Sequence, residues 1–315
     1  VNKGIITING GTFDASNGGY GIAALTNGNV VINGGTFNNA LFDWGGSISI
    51  KGGTFSVKPN DNFIADGYKV IEKNGKYVVV ADEVDDVASN NEELTNALSA
   101  AQNGDTIYVA TGEYTALTGV KDGVTIDATG AVFTGKSSVS GNGAKIIGAT
   151  FRSNFNSDDD RCLTGDLNNT TFENCVFEAY SSARYCYANG DIVFNNCKFG
   201  TPESWRGIHF DAGNGTVTFN NCDLYGFQAF GKALTKVTFN ECNFYKGRST
   251  NVVNMYNVFE YNNCEFVADY HCDCADNGVV AAFNNCSYAD NSDITKIVRF
   301  DKDKTTCTIT FNGDT

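Results

Sequence analysis

FNNCKF at Phe194–Phe199 returns as FNNCDL at Phe219–Leu224, FNECNF at Phe239–Phe244, YNNCEF at Tyr261–Phe266 and FNNCSY at Phe283–Tyr288, with FENCVF at Phe172–Phe177 opening the series. The cysteines, Cys175, Cys197, Cys222, Cys242, Cys264 and Cys286, are 22, 25, 20, 22 and 22 residues apart. A period in the low twenties, with polar residues and glycines between short apolar strands, signals a solenoid. Strict alternation along a strand puts Phe194 and Cys197 on opposite faces. An arch between the two asparagines resets that parity and lets Phe194, Cys197 and Phe199 all point inward. The arch is the preferred reading, because the straight strand exposes one large aromatic at every turn.

Earlier copies lack the cysteine. INGGTF at Ile8–Phe13 and Ile32–Phe37, IKGGTF at Ile50–Phe55 and IIGATF at Ile146–Phe151 have Gly11, Gly35, Gly53 and Ala149 in its place. A position that takes Gly, Ala or Cys asks for a small side chain. The cysteines are therefore expected to be core residues, reduced and free of metal, stacked about 4.8 Å apart.

Composition agrees. With 35 Gly, 2 Pro and 1 Met against 23 Phe and 14 Tyr, and one good helical stretch, the profile is all-β. A net charge of -14 argues against nucleic acid and anionic membranes as partners, since both need basic surfaces. No apolar run approaches the roughly 18 residues of a membrane span, so no membrane insertion is expected. The chain does not begin with Met and opens inside a repeat. It is expected to be a segment of a longer polypeptide.

Three regions are expected. Residues 1–81 end a glycine-type solenoid, closed by a hairpin in YKVIEKNGKYVVV (Tyr68–Val80) about Asn74-Gly75. The acidic residues 82–88 are a linker. Residues 89–315 begin with a capping helix, in which Ser89 and Glu92 have capping-box spacing and Leu94, Ala97, Leu98 and Ala101 form an apolar stripe. A second solenoid follows. The expected fold is an all-β right-handed parallel β-helix, two stacked solenoid domains with one short capping helix.

LTNALSAAQNGDTIYVATGEYT (Leu94–Thr115), with rungs such as GVTIDATGAVF (Gly123–Phe133) and VTFNNCDLYGF (Val217–Phe227), resembles the start of the pectate-lyase-like right-handed parallel β-helix superfamily. The INGGTF turns with FIADGYKVIEKNGKYVVV (Phe63–Val80) resemble GGTF-repeat proteins of gut bacteria and of their phages' tails and capsid decorations. The resemblance implies a fold; the superfamily spans lyases, hydrolases, adhesins and phage spikes.

Its catalytic signatures are missing. The polygalacturonase-like NTD motif does not occur, and GIHF (Gly207–Phe210) and IVRF (Ile297–Phe300) replace GHG and RIK poorly. Calcium-binding carboxylates beside an arginine, as pectate lyases use, have one counterpart, Asp158, Asp159, Asp160 and Arg161 in SDDDRC. It is read as a solvated turn, as are DNSD (290–293) and DKDK (301–304). In DYHCDCAD, alternation separates Cys272 and Cys274 from His271 and Asp273, which excludes convergence on one metal. No catalytic residue, metal or cofactor is expected.

Aligning rungs on the repeated cysteine sets RYCYANG, GIHFDAG, VVNMYN and HCDCAD in equivalent places. With Cys186, Ile208, Phe210, Val253, Met255, Cys272 and Cys274 inward, the outward row holds Tyr185, Tyr187, His209, Asp211, Asn254, Tyr256, His271 and Asp273. Trp205 and Arg206 sit on the loop entering it. Aromatic rings among hydrogen-bonding groups on a flat sheet suit a saccharide, and these ten residues are the candidate glycan-binding site. Three functions are consistent with the sequence. The first is a non-enzymatic phage virion component, a fibre, spike or capsid-decorating protein. The second is a bacterial surface adhesin, and the third a polysaccharide lyase or hydrolase. Missing catalytic motifs count against the third. Stacked thiols, which suit a reducing cytoplasm during assembly, favour the first over the second. The expected location is the virion, alternatively the bacterial cell surface. Expected partners are other virion or surface-protein subunits, further copies in a homo-oligomer, and host-surface polysaccharide.

Overall fold

The computed structural model of the chain describes residues 4–15, 19–82, 84, 86–248, 251–267, 270–288, 297–300 and 306–313. DNSD and DKDK lie outside them, as do two linker residues, 83 and 85. The chain is an all-β parallel β-solenoid, with one α-helix among the described residues. It divides into a unit of Val1–Ala101, Thr106–Tyr114 and Ile126–Val132 and a unit of Gln102–Asp105, Thr115–Thr125 and Phe133–Thr315.

In the first unit, Gly4–Ile8, Gly28–Ile32 and Ser47–Ile50 pair in parallel, and Thr12–Phe13, Thr36–Phe37 and Gly53–Phe55 form the next face of the coil. Phe13, Phe37 and Phe55 stack with ring centroids 4.9 Å apart at each step. The hairpin of Tyr68–Lys73 and Lys76–Ala81 adds antiparallel to Gly53–Phe55, so the edge of that sheet is covered. Its turn puts Asn74 and Gly75 at φ 53° and 72°, the left-handed pair that a two-residue hairpin needs.

The helix, Asn91–Ala100, is capped one residue later than its spacing suggested. Asn90 is the N-cap and accepts from the Glu93 N–H at 3.0 Å. Glu93 reaches back to the N–H and hydroxyl of Ser89 at 2.9 and 3.0 Å, and pairs with Lys73 of the hairpin at 3.1 Å. Two overlapping pairs, Ser89/Glu92 and Asn90/Glu93, share the same three-residue step. The second wins because Glu93 then meets a cation.

In the second unit the repeated phrase does what its parity required. Asn174, Asn196, Asn221, Glu241, Asn263 and Asn285 adopt φ of 52–55°, so each rung turns sharply between its two polar residues. Phe194, Cys197 and Phe199 all point into the core, at most 2% exposed. Phe172, Phe194, Phe219, Phe239, Tyr261, Phe283 and Phe311 are register partners in one column, with ring centroids 4.6–5.1 Å apart. Outside the arch, the side chains of Asn195, Asn220, Asn240, Asn262, Asn284 and Asn312 form a ladder, each amide after the first donating to the oxygen of the rung before at 2.7–2.8 Å.

The ladder cysteines are buried free thiols. The Sγ of Cys222, for example, lies 3.4 Å from the carbonyls of Phe194 and of Asn220. Their equivalence with the glycines does not hold, however. Gly11, Gly35 and Gly53 have φ of 98°, 119° and 112°, a conformation closed to cysteine, and a Cβ on Gly35 would come within 3.1 Å of the Gly11 carbonyl. The glycine turns thus bend at the fourth residue of the phrase and the cysteine turns at the third. Only Ala149, after Gly148 at φ 67°, belongs to the cysteine type.

Candidate functional site

The third face of the second unit runs Leu163–Asn168, Ser181–Asn189, Arg206–Gly213, Phe227–Phe230, Val252–Met255, His271–Cys274 and Val298–Phe300, all in parallel. Cys186, Ile208, Phe210, Val253, Met255, Cys272 and Cys274 are buried. The inward half of the expected alternation is therefore present.

One irregularity makes the site. Between Ala183 and Cys186 the Ser181–Asn189 strand carries a bulge against its neighbours, and Tyr185 sits at φ 56°. A bulky residue in that conformation is strained, and such strain gathers at functional sites. The bulge also flips the parity. Plain alternation places Arg184 on the inward face with Cys186, whereas here Ala183 is buried and Arg184 is turned out of the core, half-buried beside exposed Tyr185.

Three of the chain's six arginines converge there. The guanidinium carbons of Arg161 and Arg184 lie 4.9 and 4.5 Å from the Tyr185 ring centroid. That of Arg206 lies 4.1 Å from the Trp205 ring and 5.4 Å from Phe227. Tyr180 stands 6.0 Å from Trp205, with Arg248 over its outer ring at 5.5 Å. Asp158 answers the cations, its carboxylate 3.0 Å from Arg184 and 3.9 Å from Arg206, with Ser181 donating to it at 3.1 Å. Asp159 pairs with Arg161 at 3.0 Å. The turn at Asp158–Arg161, expected to be only a solvated connection, thus provides both a cation and the counter-charge. Among the described residues, no three His, Cys, Asp or Glu side chains group to hold a metal ion.

His209 bridges the two charges. Arg206 Nη1 is 3.3 Å from its Nδ1, and its Nε2 is 3.6 Å from Asp211. Burial holds the imidazole below its ordinary value, Asp211 opposes the shift, and Arg206 and Arg184 reinforce it. The ring is therefore neutral at pH 7, with Nδ1 accepting from Arg206. Burial also lowers Arg206 from the usual arginine value, against the pull of Asp158, and leaves it cationic. Four buried polar atoms here have no hydrogen-bond partner: the Nε atoms of Arg161, Arg184 and Arg206, and Asp211 Oδ2. Unsatisfied buried groups are costly and rare, so a cluster of four sets this place apart.

Of the ten sequence-derived residues, Tyr185, Trp205, Arg206, His209 and Asp211 meet in this cluster. Tyr187 is exposed one step along the same strand, in register with Asp166 and Ala212. The other four stand apart, because the rung Phe227–Phe230 intervenes and places Ala229 between His209 and Asn254. Farther along, Asp273 is held by Arg299 at 2.7 and 3.0 Å, Asn254 and Asp273 are register partners, His271 is half-buried opposite Val252, and Tyr256 carries Lys232 over its ring at 5.6 Å. Asp158, Arg161, Arg184, Tyr180, Phe227 and Arg248 were not among the ten. Arg161 and Asp158 are read from the sequence as a turn; nothing local in the sequence signals the bulge that turns Arg184 out of the core.

No protein-family model matches the chain, and no curated protein does. Solved structures similar to it include the pectin methylesterase of Aspergillus niger in a penultimately deglycosylated form, at 14% identity and TM-score 0.41 over 74% of this chain and 86% of that one. A PL6 family alginate lyase is similar at 15% identity and TM-score 0.39, over 100% of this chain and 58% of the lyase chain. This chain thus spans less than two thirds of the lyase it resembles.

Proposed function

We propose that the chain is a non-enzymatic attachment protein whose second unit recognises an acidic polysaccharide at the arginine cluster around Tyr185. The observation that carries this reading is the convergence of three largely buried guanidiniums, each with an unused Nε–H, beside aromatic rings on a rigid sheet. A carboxylate or sulfate accepts paired bonds from a guanidinium, and the apolar face of a pyranose stacks on an aromatic ring. The sheet holds Arg184, Tyr185 and Arg206 in place before binding, so little conformational entropy is lost. Several copies on one particle supply avidity beyond a single site. The GGTF-type turns support a setting in a phage virion, as fibre, spike or capsid decoration among other subunits and as a homo-oligomer. A bacterial surface adhesin is the alternative setting.

A polysaccharide lyase or hydrolase is the second reading, favoured by the neutral imidazole of His209 between a cation and a carboxylate. Its Nδ1 lone pair already faces Arg206, which favours recognition over turnover. Isothermal titration with trigalacturonate tests both readings. The expected result is binding that weakens about tenfold or more in Arg184→Gln and in Arg206→Gln, the loss of one charge-assisted bond each. No binding, or equal affinity in both variants, overturns the proposal. Release of unsaturated products or reducing ends, abolished in His209→Ala, puts the enzyme first.

A further inference from the structure

Resting on that reading, we infer that Asp158 is a specificity-determining residue, an internal carboxylate that occupies the acid position of the arginine cluster and must be displaced by ligand. Arg184 and Arg206 are 16% and 10% exposed, and Arg206 is pinned against Trp205. Buried cations without a counter-charge are strongly destabilising, so the empty site needs a carboxylate of its own. Asp158 provides it from a turn, and its side chain is 35% exposed. Its Oδ2 lies 3.0 Å from Arg184 Nη1 and 3.9 Å from Arg206 Nη2, its Oδ1 accepts from Ser181, and its own carbonyl accepts from Arg184 Nη1 at 3.2 Å.

The turn does not depend on that carboxylate. Asp160 holds it, accepting from the N–H groups of Asn156 and Ser157 at 3.0 and 2.9 Å. Asp158 can therefore leave while the turn stays folded and the arginines stay in place. The exchange is one carboxylate for another. A ligand with a single acid replaces Asp158 without net gain in charge pairing. A ligand with acids on successive sugars replaces it and also reaches the unused Nε–H groups of Arg161, Arg184 and Arg206. Asp158 thereby selects for polyanionic chains over lone sugar acids.

Titration of the wild-type chain and of Asp158→Asn with galacturonate and with trigalacturonate tests this. Asparagine keeps one oxygen, which Arg184 or Ser181 can use, and removes the competing charge. The expected result is wild-type binding of trimer with little binding of monomer, and about tenfold tighter binding of monomer by Asp158→Asn, which narrows the preference for trimer. Asp158→Ser, which removes the carboxylate altogether, should behave in the same way if Asn perturbs the turn. Wild-type binding of trimer with unchanged or weaker monomer binding in both variants overturns the inference alone and makes Asp158 a positioning residue for the arginines. Binding of neither sugar by any of the three proteins overturns the saccharide reading together with this one.

Discussion

Asn196 illustrates how much a single residue decides. Its left-handed backbone is what lets Phe194, Cys197 and Phe199 share the core, and for most side chains that conformation costs roughly 1–2 kcal/mol. Asn196→Ala should therefore destabilise the second unit by about that much, while Asn196→Gly should lose little beyond the 2.9 Å side-chain bond from Asn221. Denaturant unfolding of the two variants checks the order. Cysteine reactivity offers a second check. Ten of the eleven thiols are buried and Cys307 is half-exposed. Burial pushes the thiols of Cys162, Cys186 and Cys272 well up, so little reactive thiolate forms. A maleimide added to native protein should label Cys307 first, and denaturation should release the remainder. Rapid native labelling at several positions would contradict the stacked core.

At the scale of elements, the cap of the helix is the most testable junction. Glu93 is lowered to about 2 from the ordinary value of 4.5, chiefly by the Ser89 N–H, with Lys73, the Ser89 hydroxyl and Asn74 adding to the effect. A depressed acid stabilises the fold above its unfolded value and ceases to do so as pH falls toward 2. Glu93→Gln should lower the melting temperature at pH 7, by a capping loss of about 1 kcal/mol, and have a much smaller effect at pH 2. The solenoid, the arch, the hairpin turn and the inward thiols could all be read from the sequence, because each follows from spacing, parity or turn residues. The position of the helix cap could not, since two overlapping spacings satisfy the same rule. Arg184 was hidden for a similar reason. A period-two argument is reliable until a bulge, and a bulge at a tyrosine leaves no glycine or proline to announce it.

For the whole molecule, the core includes phenols and thiols that burial keeps protonated, Tyr261, Tyr270, Cys162, Cys186 and Cys272. Tyr261 and Tyr270 are pushed well above 10.0 by burial, and Cys162, Cys186 and Cys272 well above 9.0. A raised pKa confers stability that is complete below the unfolded value and fades as pH rises toward the folded one. Thermal stability should therefore hold to about pH 9 and fall progressively beyond it. A flat melting temperature through the alkaline range would mean that these groups are already in contact with water.

The asparagine ladder stays continuous although its successive asparagines are 20 to 28 residues apart in sequence. The surplus is taken up away from the arches, as in Gly200–Trp205, which leads into the Arg206–Gly213 strand. Chassis and payload are thus independent. A connector can be lengthened, shortened or exchanged without re-registering a single rung, so its surface can be varied one connector at a time on a frame that does not change.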